Sequence, residues 1–218
     1  MTKMNLEAIM TVFYLIRHGQ TTANVQGLKQ GTINTAITQL TATGISQAER
    51  LHDQFDWSFA NRIVASPLDR TQQTAAIVNQ TAQLPVELDD RLLEISYGSW
   101  DGQSNAALQA QHPDVFDPVL NDVLPTYVNA APDGESFGHV MGRVDHFMRD
   151  FATQAPDEAI LAVTHGFTIK AAVLTALSLP ETVPLPEPMN TSVTKISFEP
   201  QSQQYYLWYY NRFDASSY

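Results

Sequence analysis

Three short apolar runs, "TVFYLIR" (11–17), "RIVAS" (62–66) and "AILAVTH" (159–165), constrain the fold of this chain more than any other feature. Each is rich in β-branched or aromatic residues and nearly free of polar alternation, the pattern of a parallel strand covered on both faces. "VELD" (86–89) repeats it weakly. Helical periodicity fills the intervals: 44–55 with Ile45, Ala48, Leu51 and Phe55, then 68–80 with Leu68, Thr71, Ala75 and Val78. The segment 135–152 is clearer, with Phe137, Val140, Met141, Val144, Phe147, Met148 and Phe151 in one stripe and Asp133 or Ser136 placed to cap its start. Such alternation predicts an α/β sheet with helices on both faces, in which right-handed crossovers bring several strand ends to one edge. "TSVTKISF" (191–198) and "YYLWYY" (205–210) read as an antiparallel pair after a loop broken by Pro180, Pro184, Pro186 and Pro188. Residues 99–131, interrupted by Pro113, Pro118 and Pro125, are expected to form a small helical cap over that edge. The organisation expected is an extension over 1–10 and a single domain over 11–218 carrying that cap as an insertion.

Charge narrows the function. With 12 Lys and Arg against 23 Asp and Glu the net charge is -11, which argues against general affinity for nucleic acid or an anionic membrane. Any anion must therefore be bound locally. There is no cysteine, so disulfides and thiolate metal sites are excluded. The leader "MTKMNLEAIM" lacks an apolar signal core, and no window reaches the run of about 18 apolar residues that a membrane span needs. A soluble cytoplasmic protein is expected.

Against that scarcity, three strand ends carry polar residues that a core would not want: Arg17 and His18, Ser66 through Arg70, and His165 with Gly166. In parallel strands they converge on one pocket. Two guanidiniums and two imidazoles around one point repel each other unless an anion sits between them, and phosphate is the natural one. The loop into the helix after Gly166 would add backbone N–H groups and a helix dipole. A histidine beside two arginines stays neutral near pH 7 and can attack phosphorus, while the remaining cations hold the equatorial oxygens. The leaving alkoxide needs a proton, and Glu94 in "RLLEISYGSWDG" is the candidate acid, its apolar stretch favouring the protonated form. Rival readings stand beside these: Glu94 as an ion-pair partner of Arg91, Asn24 as a turn cap, and Glu135, His139 and His146 as solvated helix positions rather than metal ligands.

"LIRHGQTTAN", "LTATGISQAE", "ASPLDRTQQTA", "LLEISYGSWDG", "PDGESF" and "VTHG" occur in the order and approximate spacing of the histidine phosphatase superfamily, phosphoglycerate mutase-like branch. The resemblance spans about residues 11–170, and it is to a phosphatase-type member. It implies a three-layer α/β/α sandwich with a mostly parallel central sheet, one antiparallel edge strand and a small helical cap. It also implies that His18 becomes phosphohistidine, that Arg17, Arg70 and His165 clamp the phosphate, and that Glu94 donates a proton and later activates water. Asn24 matches the family's phosphate-approaching asparagine, and Thr21, Gln30 and Gly31 fall at the pocket mouth. Gln20 stands where the family commonly has glutamate. No metal or other cofactor is implied, and the expected partner is a small-molecule phosphate ester; the oligomeric state is left open.

The branch holds mutases as well as phosphatases. The resembling mutases carry extra cations after the acid glutamate to retain a second phosphate, whereas residues 95–142 contain neither Lys nor Arg. Hydrolysis of the phosphohistidine is therefore expected, with a cofactor-dependent phosphoglycerate mutase or a non-catalytic phospho-ligand binding module as the alternatives. Trp100, Leu108, Phe116, Val119, Leu120, Tyr127 and Val128 of the cap suggest a substrate whose remainder is neutral or apolar, unless they pack on one another.

Overall fold

The computed structural model describes residues 9–214, so the expected extension over 1–10 lies outside the described residues except for Ile9 and Met10. Strands β1 (Thr11–Arg17), β2 (Arg62–Ala65), β3 (Val86–Leu88), β4 (Ala159–Thr164), β5 (Val193–Glu199) and β6 (Gln204–Arg212) form one sheet in the order β3-β2-β4-β1-β5-β6. Strands β1 to β4 are mutually parallel, β5 runs against them, and β6 pairs antiparallel to β5 at the edge.

Period-two geometry sends β1 side chains to both faces, and both are dry. Phe13 and Leu15 join Val64, Ile160 and Ala162 beneath α5 (Phe137–Gln154) and α6 (Gly166–Ala176), in a core that includes Val140, Val144, Phe147 and Phe167. Ile16 joins Ile63, Leu161 and Val163 against the face covered by α2 (Ala42–Gln54) and α3 (Asp69–Val78), where Leu51, Ala75 and Val78 are buried. This double covering explains the unbroken apolar runs. Ser136 caps α5, accepting from His139 N at 3.2 Å, whereas Asp133 turns away to accept from Ser99 N at 2.7 Å. The buried face of α2 is rotated from the expected one. Ile45 is 42% exposed, while Gln47 is buried and accepts from Gln20 N at 3.0 Å, because the helix packs on the loop after β1 and needs an acceptor there.

Two short helices remain, α1 (Thr22–Val25) after β1 and α4 (Asn105–Gln111) within the 99–131 segment. Pro113 and Pro125 open 3₁₀ turns, where a missing N–H costs nothing. Trp100, Leu108, Phe116 and Tyr127 are buried against one another and continuous with the α5–α6 core. Among the described residues no helix is long and apolar enough to cross a membrane.

Candidate active site

Register sets the site. Arg17 pairs with Thr164 and Ala65 with Val163, so the chain leaves three adjacent parallel strands at one level. His18, Ser66 and His165 are the first residues past those ends, and backbone bonds from His18 N to Thr164 O and from Ser66 N to Val163 O, each 3.0 Å, hold them there.

The two imidazoles have different tautomers, assigned from their partners. His18 Nδ1 lies 2.7 Å from the Gly19 carbonyl, which can only accept; Nδ1 therefore carries the hydrogen and Nε2 keeps a free lone pair. Burial, reinforced by the charges of Arg70 and Arg17, holds His18 well below the usual histidine range and so neutral. His165, whose ring centroid is 5.3 Å away, accepts from Arg70 Nε at Nδ1 (3.2 Å) and so donates from Nε2 to Ser66 Oγ (2.8 Å). It too is held neutral, by burial first and then by Arg70. Arg70 is fully buried, donating to Gly31 O at 2.8 Å and Ile33 O at 3.1 Å; burial pulls its guanidinium down to about 10, still charged at neutral pH. Gly31 presents that carbonyl from a φ of +49°, over a carboxylate of Asp101 that would lie 1.7 Å from an added Cβ. Arg17 donates to Pro188 O at 2.5 Å, approaches Glu187 at 3.5 Å, and has a buried Nε with no partner.

A cleft of about 390 Å³ opens over these groups, lined by Arg17, His18, Asn24, Gln30, Gly31, Arg70 and Glu94. Three expected residues lie behind its wall. His165 is the support of Arg70 just described. Thr21 caps α1, accepting from Asn24 N, with its hydroxyl 2.9 Å from Gln30 Oε1. Asn24 returns the capping contact, its Oδ1 accepting from Thr21 N at 3.1 Å, so it caps the turn and lines the cleft at once. Gly166 begins α6, and its missing side chain leaves room for Glu187, whose Oε2 would be 2.1 Å from an added Cβ.

Glu94 sits differently from the apolar setting expected of it. Its carboxyl group accepts from Ile95 N (3.1 Å), Phe167 N (3.3 Å) and Thr168 N (3.2 Å), so the first amides of α6, expected to bind phosphate, hold this side chain instead. Arg91 pairs with Asp89 and Asp150, which removes the simple ion-pair reading of Glu94. Glu135 bonds Arg143 Nε as well as His139, each at 2.8 Å, and His146 is exposed.

The cleft is not lined by the aromatic residues of the 99–131 segment. Trp100, Phe116 and Tyr127 fill their own core, Val119 is 82% exposed, and of the seven apolar residues named only Leu120 reaches the cleft. Polar groups take their place: Asn105, Asn121, Asp122, Glu187 and Lys29. Lys29 comes from outside the 95–142 window, lies 4.6 Å above the Tyr97 ring and forms an ion pair with Asp122. Burial opposes the Asp122 charge, but Lys29 overcomes it and holds the carboxyl below its ordinary range. Lys29, Asp122 and Glu187 carry no motif signal; only the fold brings them together.

A sequence profile of the histidine phosphatase superfamily (branch 1) matches residues 13–211. The adenosylcobalamin/alpha-ribazole phosphatase of Escherichia coli K12 is 32% identical over 170 residues, covering 77% of this chain and 79% of its own. A protein of Enterobacter sp. strain 638 named "Probable phosphoglycerate mutase" is 32% identical over 176 residues, 78% of this chain and 77% of its own. Among solved structures, a mycobacterial glucosyl-3-phosphoglycerate phosphatase in complex with VO3 superposes with a TM-score of 0.76 at 27% identity, over 94% of this chain and 100% of the other.

Proposed function

Because this chain belongs to the histidine phosphatase superfamily, branch 1, we propose that it hydrolyses a small phosphate monoester through a phosphohistidine on His18. The observation that carries this reading is the free Nε2 lone pair of a neutral, buried His18 in a cleft that Arg17, Arg70 and Glu94 also line.

In the first step His18 Nε2 attacks phosphorus and the ester P–O bond breaks. Arg17, with its unpartnered Nε, and Arg70 face the phosphoryl oxygens as charge moves onto them. His165 keeps Arg70 in place, and its Nε2–H reaches a phosphoryl oxygen only by leaving Ser66. The leaving oxygen takes its proton from Glu94. Thr168 fixes the carboxyl group from behind, its hydroxyl 2.7 Å from Leu93 O and 3.2 Å from Glu94 Oε1. In the second step the Glu94 carboxylate takes a proton from water as that water attacks the phosphohistidine, which returns His18 and releases phosphate.

Hydrolysis is favoured over mutase chemistry by Lys29. The extra cation that a second phosphate would need is present in the cleft but already paired with Asp122. Release of phosphate from p-nitrophenyl phosphate, abolished in His18→Ala, tests the reading. Acid-quenched turnover should trap acid-labile label on His18, and label on a carboxylate or a serine overturns it. Interconversion of phosphoglycerates dependent on a bisphosphate primer would make the protein a mutase instead.

A further inference from the structure

Glu187 is an acid in a place where the proposed chemistry calls for cations. Pro184, Pro186 and Pro188 flank it closely, and each restricts the residue before it to an extended backbone. The strap so formed is pinned on both sides of Glu187. Arg17 Nη1 donates to Pro188 O at 2.5 Å, the Tyr210 hydroxyl donates to Pro186 O, and Met189 N donates to Asn211 Oδ1 at 2.7 Å. Its side chain, 22% exposed, enters the cleft with Oε2 3.5 Å from Arg17 Nη2 and against the glycine that opens α6. A carboxylate is thus held on the guanidinium that the substrate's phosphoryl group needs.

Building on the phosphatase reading, we propose that Glu187 is a specificity-determining member of the phosphate seat: as a neutral acid it donates a hydrogen bond to a phosphoryl oxygen beside Arg17, and as a carboxylate it competes with that oxygen for Arg17. Two anions at this distance on one guanidinium repel each other, so binding a phosphate dianion takes up a proton from solvent onto Glu187 wherever that group starts as a carboxylate. The surroundings favour that exchange. Burial pushes Glu187 up to about 7, Asp122 and Glu94 add to the rise, and Arg17 and Lys29 oppose it. Tyr97 and Tyr210, the other titratable groups facing it, are themselves pushed up by burial and stay neutral. The His18 ring, next to Arg17, is neutral as well.

The consequence is that KM for a phosphate ester rises with pH, through a residue that does not attack, protonate or leave. With p-nitrophenyl phosphate, wild-type KM should rise about fivefold or more from about pH 6 to about pH 8.5. In Glu187→Gln, which keeps a donor and cannot ionise, it should change less than about twofold and lie about fivefold below wild type at the higher pH. Glu187→Ala should also be flat but weaker than Gln throughout, because the donor is gone. A Gln variant whose KM follows the wild-type curve overturns the inference while turnover lost in His18→Ala keeps the phosphatase. Should wild type show no turnover, calorimetric titration of inorganic phosphate into wild type and Glu187→Gln at both pH values decides, since the ligand's own ionisation is common to both. A relative affinity that shifts toward the variant at high pH supports Glu187, and a constant ratio or no phosphate binding overturns it.

Discussion

Gly166→Ala measures how tightly Glu187 is seated. An added Cβ would lie 2.1 Å from Glu187 Oε2, 2.9 Å from its Cδ and 3.0 Å from Arg17 Cζ. None of these can retreat freely, because Arg17 is tied to Pro188 O and the strap is proline-bound. Gly166 is the first residue of α6, where alanine is the better helix former by up to about 1 kcal/mol. Overpacking of this kind costs about 1–3 kcal/mol. The net expectation is a loss of about 1–2 kcal/mol, with Glu187 expelled from the cleft. In a Glu187→Ala background the principal overlap is gone, and the same glycine change should be neutral or stabilise by about 0.5 kcal/mol. Urea unfolding at neutral pH of the four proteins gives the coupling as a double-mutant cycle, expected at about 2 kcal/mol. Additivity within about 0.5 kcal/mol would refute the packing argument, because two side chains competing for one volume cannot act independently.

Stability should also report the buried imidazoles. His18 and His165 are held neutral in the folded state while the unfolded chain protonates them near pH 6.5, so below that pH the unfolded state binds more protons and stability falls with acid. His165→Gln should remove up to about 1.4 kcal/mol per pH unit of that fall, read as a shallower decline of Tm between about pH 6.5 and 5; an unchanged slope contradicts the burial argument. Asp122→Asn should release Lys29 and lower KM for 3-phosphoglycerate about three- to tenfold relative to p-nitrophenyl phosphate, which steady-state kinetics on the two substrates checks. Glu94→Gln should slow alkyl phosphates by about a hundredfold or more and aryl phosphates much less, since only the former leave as strong bases. Equal slowing would assign the proton transfer elsewhere.

The sequence carries the parts of the site that follow from strand ends. Apolar runs locate β1, β2 and β4, parallel pairing brings their ends together, and the polar residues that terminate them, Arg17, His18, Ser66 and His165, then meet without further information. It is less explicit where a contact depends on how a loop returns. Glu94 lies in a run that reads as apolar, yet its carboxyl group meets the amides of α6, seventy-odd residues further on. Aromatic residues of the 99–131 segment look like a substrate lining because composition does not tell an inward from an outward face; they complete a core that the short helices cannot bury otherwise. The window from 95 to 142 is indeed free of Lys and Arg, but charge in a cleft is set by neighbours in space, and Lys29 enters from the loop after α1.

That last point alters the reason for expecting hydrolysis. The pocket is not short of cations; two of its three face a carboxyl group within it, Lys29 paired with Asp122 and Arg17 with Glu187 when that group is ionised. Arg70 is held by carbonyls and a neutral imidazole, with no carboxylate paired to it among the described residues. An incoming phosphoryl group therefore finds Arg70 ready and must displace or protonate Glu187 to gain Arg17. A second anionic group would have to break the Lys29–Asp122 pair as well, where the desolvated carboxylate left behind costs more than an exposed one. On the proposed reading the internal carboxylates are place-holders that a single phosphoryl group replaces and a second does not easily match. The phosphatase reading therefore predicts a preference for monophosphates that arises from the order in which these pairs must open, and not from an absence of positive charge.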